Sequence, residues 1–349
     1  MGKKFVSLSL FLLVLFTLTS CNSKQEEVFY FSYSPKTLLP QNSVTINDFA
    51  LEPINTTVTL DLPVFLLKSD NKSYQIDYPL TFAQDLQTGE IYQLEQGFRE
   101  KLLEKKSSLD KMIFGEYLDW QEADKVFPKY AKALVKDLET QKYFRVQRRG
   151  GSSHCDVQPL TKQDTEIMFD IYNQSWSWDR RGVIVKVGNR YIAGSMNGMP
   201  HGDGAIRDNG FDGHFCIHFL NCVTHGTNNL DFAHQLMVKK AAGLLFQTLI
   251  DMEPAEIVKA FIIFSTQRQE HLAKLIMQNP TEDITFFVNL QSIHISSIDI
   301  ISAEENQVKV KVNCYYYLNN QRYTNPLLFD LVKYPNGLTW KISFSLPSL

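Results

Sequence analysis

Short runs in which every second residue is apolar, closed by turn residues, constrain this chain more than any other feature. "VIVKVGNRYIAGS" (183–195), "QVKVKVNCYYYLN" (307–319) and "LTWKISFSL" (338–346) all have this form. Successive strand side chains point to opposite faces, so such runs fit sheets that lay one face on a core. Gly188-Asn189 supplies a hairpin turn inside the first run. The expected chain is therefore multidomain and β-rich, with helices as a minority.

Three regions follow from where the pattern changes. Residues 22–112 open with strand-like pieces such as "VTLDLPVFLL", where Pro63 argues for an edge or a break. They close on a helix expected over 92–112, from the spacing of Leu94, Phe98, Leu102 and Leu103. Residues 113–244 hold the glycine-rich turns, most of the histidines, a helix expected over 161–172 behind Thr161, and another over 230–246. Residues 245–349 read as an amphipathic helix over 253–277 followed by four alternating runs, an α+β domain. Its order and its ending, Gly337-Leu338-Thr339-Trp340-Lys341-Ile342, look like the nuclear-transport-factor-two-like fold.

The first residues bear on address. Lys3 and Lys4 precede an apolar run from Phe5 to Phe16, and Leu18-Thr19-Ser20-Cys21 follows. A charged start, a short apolar core and small residues before a cut make a secretory signal, too short for a bilayer span. Leu-Thr-Ser-Cys resembles the lipobox of bacterial lipoproteins. That resemblance implies residues 1–21 as signal peptide, lipidation of Cys21, and an extracytoplasmic protein held to a membrane by lipid. The mature chain would carry 33 basic against 38 acidic side chains, a net charge of −5. Nothing in that balance favours nucleic acid. Four cysteines after Cys21 are too few for a disulfide scaffold; Cys155 with Cys222 is one pairing to consider.

Chemistry concentrates in the middle region. Six of eight histidines (His154, His201, His214, His218, His225 and His234) fall within 81 residues, with Cys216 among them. His234, like His271 and His294, reads as an ordinary helix or surface histidine. If Gly213-His214-Phe215-Cys216-Ile217-His218-Phe219 is a strand, Phe215, Ile217 and Phe219 take the core face. Cys216 then stands between His214 and His218 on the other face. An imidazole beside a thiol favours the reactive thiolate, and His201, fifteen residues earlier, is the natural base.

A His-Gly pair, a loop, then Ser/Thr-His-Gly-Cys and an apolar residue marks the L,D-transpeptidase catalytic domain. His201-Gly202 and Gly213-His214-Phe215-Cys216-Ile217 resemble those two elements. Three positions depart from the pattern: Gly213 replaces Ser/Thr, Phe215 replaces glycine, and His218 holds the polar place after Cys-apolar. The resemblance implies a β-sandwich-like domain, Cys216 as nucleophile, His201 as base and His214 beside them. It also implies Gly202, Gly213, Phe215 and His218 lining the substrate, no cofactor, and peptidoglycan stem peptides as partners. Arg149, with Arg145 and Arg148, is a candidate holder of a stem-peptide carboxylate. Trp176, Trp178 and Arg180 form a candidate groove lip, and Asn197 and Met199 are candidate cleft residues.

Two alternatives stand beside this reading. His154, Asp156, His214 and His218 offer donors for zinc, with His225 a further one, which would make a zinc-dependent peptidoglycan peptidase. A wall-binding lipoprotein without catalysis is the other, favoured by Phe215 at the family's glycine.

Overall fold

The computed structural model describes residues 27–346 apart from 48, 55–57 and 225–227. Cys21 with its leader, and His225, lie outside the described residues. No described helix is long and apolar enough to cross a membrane.

The first sheet has seven antiparallel strands: β1 (Phe29–Tyr33), β2 (Ser43–Ile46), β3 (Leu51–Pro53), β4 (Phe65–Lys68), β5 (Ser73–Ile76), β6 (Phe82–Asp85) and β7 (Ile91–Leu94). Their order is β2-β1-β4-β5-β6-β7-β3. Pro63 sits just ahead of β4, which is an inner strand, so it marks a break and not an edge. Helix α1 (Gln96–Ile113) buries Phe98, Leu102, Leu109 and Ile113 along one stripe. It starts later than its spacing suggests, because Leu94 is taken by β7; Leu103 faces outward.

The middle region runs α2 (Trp120–Val126), β8 (Lys132–Asp137), β9 (Tyr143–Gly150), β10 (Cys155–Pro159), α3 (Lys162–Ile171), β11 (Arg181–Val187), β12 (Arg190–Met196), β13 (Phe215–His218) and α4 (Phe232–Ala241). Where two packed sheets are expected, the six strands close into one barrel, β10-β13-β12-β11-β8-β9. Closure rests on β10, which pairs with both β9 and β13 and shifts register at Asp156/Val157. Such a bulge bends a strand and increases its twist, and that is what turning a sheet onto itself requires. Val135, Phe144, Val146, Val157, Val183, Val185, Ile192, Met196, Phe215 and Ile217 belong to one buried cluster with this barrel. Thr161 caps α3 by accepting from the Asp164 N–H, as its position suggests.

The third region holds α5 (Leu245–Asp251), α6 (Pro254–Thr266), α7 (Glu270–Leu275), α8 (Thr285–Val288), β14 (Ser292–Glu304), β15 (Gln307–Leu318), β16 (Gln321–Tyr323), β17 (Leu327–Val332) and β18 (Lys341–Ser345). The sheet order is β14-β15-β17-β18, with β16 on β15. Each expected single helix is two. The helix over 230–246 breaks between α4 and α5 at Gly243 (φ +74), where a Cβ would sit 2.6 Å from the Phe114 ring. The helix over 253–277 divides into α6 and α7 at Arg268, whose φ is +57.

The sheets are separate, yet their cores are continuous with neighbouring regions. Leu138, Ile184 and Ala193 of the barrel region, with Ala241 and Phe246, pack into the first region's core. Leu236 and Met237 of α4 pack into the third. Asp61 bonds the main-chain N–H groups of Leu338 and Thr339 and pairs with buried Lys341 at 2.5 Å. Lysine and neighbouring N–H groups together hold this buried carboxyl below its usual range.

Candidate active site on the outer face of the barrel

Strand β13 is short and buried on both faces. Phe215 and Ile217 point into the barrel, and Cys216 and His218 point out, as alternation requires. Pairing carries the pattern sideways: Asp156 lies opposite Cys216, and Ser195 opposite His218. Cys216 is 4% exposed, at the edge of a cavity of about 210 Å³ that also reaches His154, Trp178, Arg180, Asn197, His201 and His218.

His201 comes from the loop between β12 and β13. Its N–H and carbonyl both bond those of His214, at 2.9 Å each way, which pins the loop beside β13. Gln158 holds the same loop from below, donating to Gly213 O at 2.8 Å and accepting from the N–H groups of Ala205 and Ile206. Gly213 has φ +95, and a Cβ there would meet His201 O at 2.4 Å. The Ser or Thr of the family pattern has no room in this backbone.

Cys216 Sγ lies 3.3 Å from His201 Nε2. On its far side, His201 Nδ1 is 2.8 Å from Met199 O. A carbonyl only accepts, so Nδ1 carries the hydrogen and the Nε2 lone pair faces the thiol. This is the tautomer a general base needs. Trp178 packs on the His201 ring at 5.0 Å between centroids, covering it. Asn197 also hydrogen-bonds the sulfur.

The thiol is not ionised at rest, contrary to the sequence expectation. Burial, and then the Asp156 carboxylate 3.9 Å away, push its pKa well above that of a free cysteine; the bond from Asn197 offsets this only in part. A single neutral imidazole cannot outweigh a dry site with a carboxylate in it. Any reaction at this sulfur would need a proton acceptor, and His201 Nε2 lies within reach of it.

Behind Cys216 stands a column of rings. His218 stacks on His154 at 4.6 Å and on His234 at 3.8 Å, and His234 Nδ1 meets Ser195 Oγ at 2.8 Å. His234 is thus part of the cluster and not an ordinary helix histidine. Burial and the neighbouring imidazoles push the His218 pKa far down, and burial does the same at His234. His271, by contrast, is packed beside Lys240, and His294 stacks on Tyr315.

Two candidate substrate residues are placed elsewhere. Phe215 is fully buried in the barrel, against Phe144 and Phe211, so it takes no space from a substrate. Phe215→Ala should accordingly cost about 3–5 kcal/mol of stability, read by denaturant unfolding, without widening the cleft. Arg149 is turned to Gln147 Oε1 at 2.6 Å and to the Tyr130 ring. Arg145 pairs with Asp164 and Arg148 with Asp124, so this basic stretch braces the barrel. From the expected groove lip, Trp178 and Arg180 line the cavity, whereas Trp176 packs on Phe169 and Phe211. Asn197 lines it too, and Met199 contributes its carbonyl.

For metal, among the described residues two sets of donor atoms lie within 4.8 Å of one another: His154, Cys216 and His218, and His201, His214 and Cys216. Asp156 Oδ1 is 3.3 Å from His154 Nε2 and 3.8 Å from His214 Nε2. A soft divalent ion in either set would take the sulfur, so metal and nucleophile compete for one atom. Cys155 and Cys222 are both free thiols.

Nothing in the sequence around Gln158 or Ser195 marks them; pairing within the barrel and the packing of α4 bring them to the site. Compared with protein-family models and with curated proteins, the chain finds no match.

Proposed function

We propose that the protein is a lipid-anchored, extracytoplasmic cell-envelope protein that acts on peptidoglycan stem peptides by cysteine acyl transfer, like L,D-transpeptidases. The observation that carries this is the line Met199 O, His201 Nδ1–H, His201 Nε2, Cys216 Sγ, with 2.8 Å and 3.3 Å between partners. In such a line, Cys216 attacks the carbonyl of an L-to-D peptide bond while His201 takes the thiol proton. His201 then gives that proton to the departing amine, leaving a thioester on Cys216. Transfer to an amine or to water releases the thiol. The Met199 carbonyl keeps the ring in its working tautomer and bears part of the charge that forms on it. The address supports the same reading through the lipobox-like Leu18-Thr19-Ser20-Cys21.

Incubation with purified muropeptides tests it. Wild-type protein should shorten or cross-link tetrapeptide stems, and Cys216→Ala should leave them intact. Equal turnover by both would refute the nucleophile.

A further inference from the structure

A groove of about 730 Å³ lies between the C-terminal end of α1 and the outer face of the barrel, and shares no residue with the cavity at Cys216. Register sets its floor. Lys136 lies between Tyr143 and Ile184 in one cross-strand row, and Lys186 between Leu134 and Tyr191 in the next. Val135, Val183 and Val185 fill the barrel, so by alternation their neighbours along the strands face outward. One wall is the segment from Phe114 to Glu116, held on β12: the Glu116 N–H donates to Tyr191 O at 2.7 Å, and its carbonyl accepts from the Ala193 N–H at 2.9 Å. The groove is therefore formed without a ligand.

Positive charge in it is in excess. Of its two carboxylates, Asp110 is taken by Lys106 at 2.6 Å and by the Tyr33 hydroxyl at 2.8 Å, and Glu116 is taken by Arg190 at 2.6 Å. Among the described residues, no carboxylate pairs with Lys111, Lys136 or Lys186. Lys136 and Lys186 are half-buried diagonal neighbours, a relation that sets residues roughly 7–8 Å apart in a sheet. Each lies over a tyrosine ring instead, Lys136 at 5.5 Å from Tyr143 and Lys186 at 5.1 Å from Tyr191. Like charges so placed repel, and one anion between them would be held by both.

We infer that this groove binds a monomeric amphiphilic anion, an apolar chain ending in a carboxylate or phosphate. Lys136 and Lys186 hold the head, and Phe114, Leu134 and Ile184 pack on the chain. A mostly apolar cleft with a few convergent polar groups is the usual form of a small-ligand site. An extended peptide adding as a strand needs a free sheet edge, and all four floor strands are paired on both sides in the closed barrel. A neutral sugar needs acceptors for its hydroxyls, and both carboxylates of the groove are already engaged. The inference stands apart from the acyl-transfer reading.

Calorimetric titration of the full chain with decanoate, kept monomeric, tests this. Decanoate should bind one to one, and decyltrimethylammonium, with the same chain and the opposite charge, at least about tenfold more weakly. Lys136→Met together with Lys186→Met should weaken decanoate binding about tenfold or more and remove the preference between the two probes. Lys136→Arg together with Lys186→Arg keeps the charge and should stay within about threefold of wild type, which separates lost charge from lost folding. Added salt should weaken decanoate binding to the wild type. Equal affinity for the two amphiphiles, undiminished decanoate binding after both changes to methionine, or no binding at all would overturn the inference. So would retention on phosphatidylglycerol vesicles without binding of monomeric decanoate, since the face would then be a membrane contact.

Discussion

His201→Ala should slow acylation of Cys216 by roughly 10²–10⁴-fold, the usual contribution of a positioned general base. The loss should be concentrated in the rate of the covalent step and not in substrate affinity. The reason lies in the resting thiol, which burial and Asp156 hold protonated. A cysteine ionised in advance would lose only part of its reactivity without the imidazole. Among the described residues, Nε2 at 3.3 Å is the nearer acceptor for the thiol proton, with the Asp156 carboxylate at 3.9 Å the other. Small alkylating reagents should report the same state. Cys216 should react more slowly than a free thiol near neutral pH and gain rate as pH rises, because each pH unit below its raised pKa removes about tenfold of the thiolate. Rapid-quench kinetics on wild type and His201→Ala measure the first effect.

Acid should destabilise the fold steeply. His218 and His234 have pKa values depressed by burial, and His271 is depressed to about 3 by burial and by Lys240. In the unfolded chain each returns to its ordinary value near 6.5. Above that value both states are neutral at these rings and the packed column keeps its full stability. Below it the unfolded chain binds protons that the folded one refuses, so stability falls as pH falls. Each ring contributes roughly 1.4 kcal/mol per pH unit, about 4 kcal/mol per unit for the three together. For His271 the fall ends near pH 3. Denaturant midpoints between neutral and mildly acidic pH should show it, and His234→Gln should flatten the slope by about one third.

The pairing of Cys216 with His201 is legible because the alternation in Gly213–Phe219 puts Cys216 and Phe215 on opposite faces, and the barrel keeps that division. His201 could be named from its place across a glycine-aspartate loop, since antiparallel pairing of that loop returns it to His214. What could not be read is what distant segments impose. The charge state of Cys216 depends on burial and on Asp156, sixty residues away in sequence and opposite it in the sheet. His234 looks like any helical histidine until α4 lays it on His218. Phe215 suggests a blocked cleft only if its strand faces substrate, and the closed barrel takes that side chain inside. Sandwich and barrel share their alternation; what separates them here is the pairing of β10 with both β9 and β13, a long-range contact that alternation does not encode. The two split helices turn on single backbone positions, Gly243 and Arg268, which periodicity does not register.

Mass spectrometry of the acid-quenched protein after brief exposure to a tetrapeptide stem tests the central claim most directly. The account predicts one added donor fragment, held as a thioester and mapped to the peptide containing Cys216, absent from Cys216→Ala. Turnover of the stem with an unmodified Cys216, or an adduct on another residue, would contradict it.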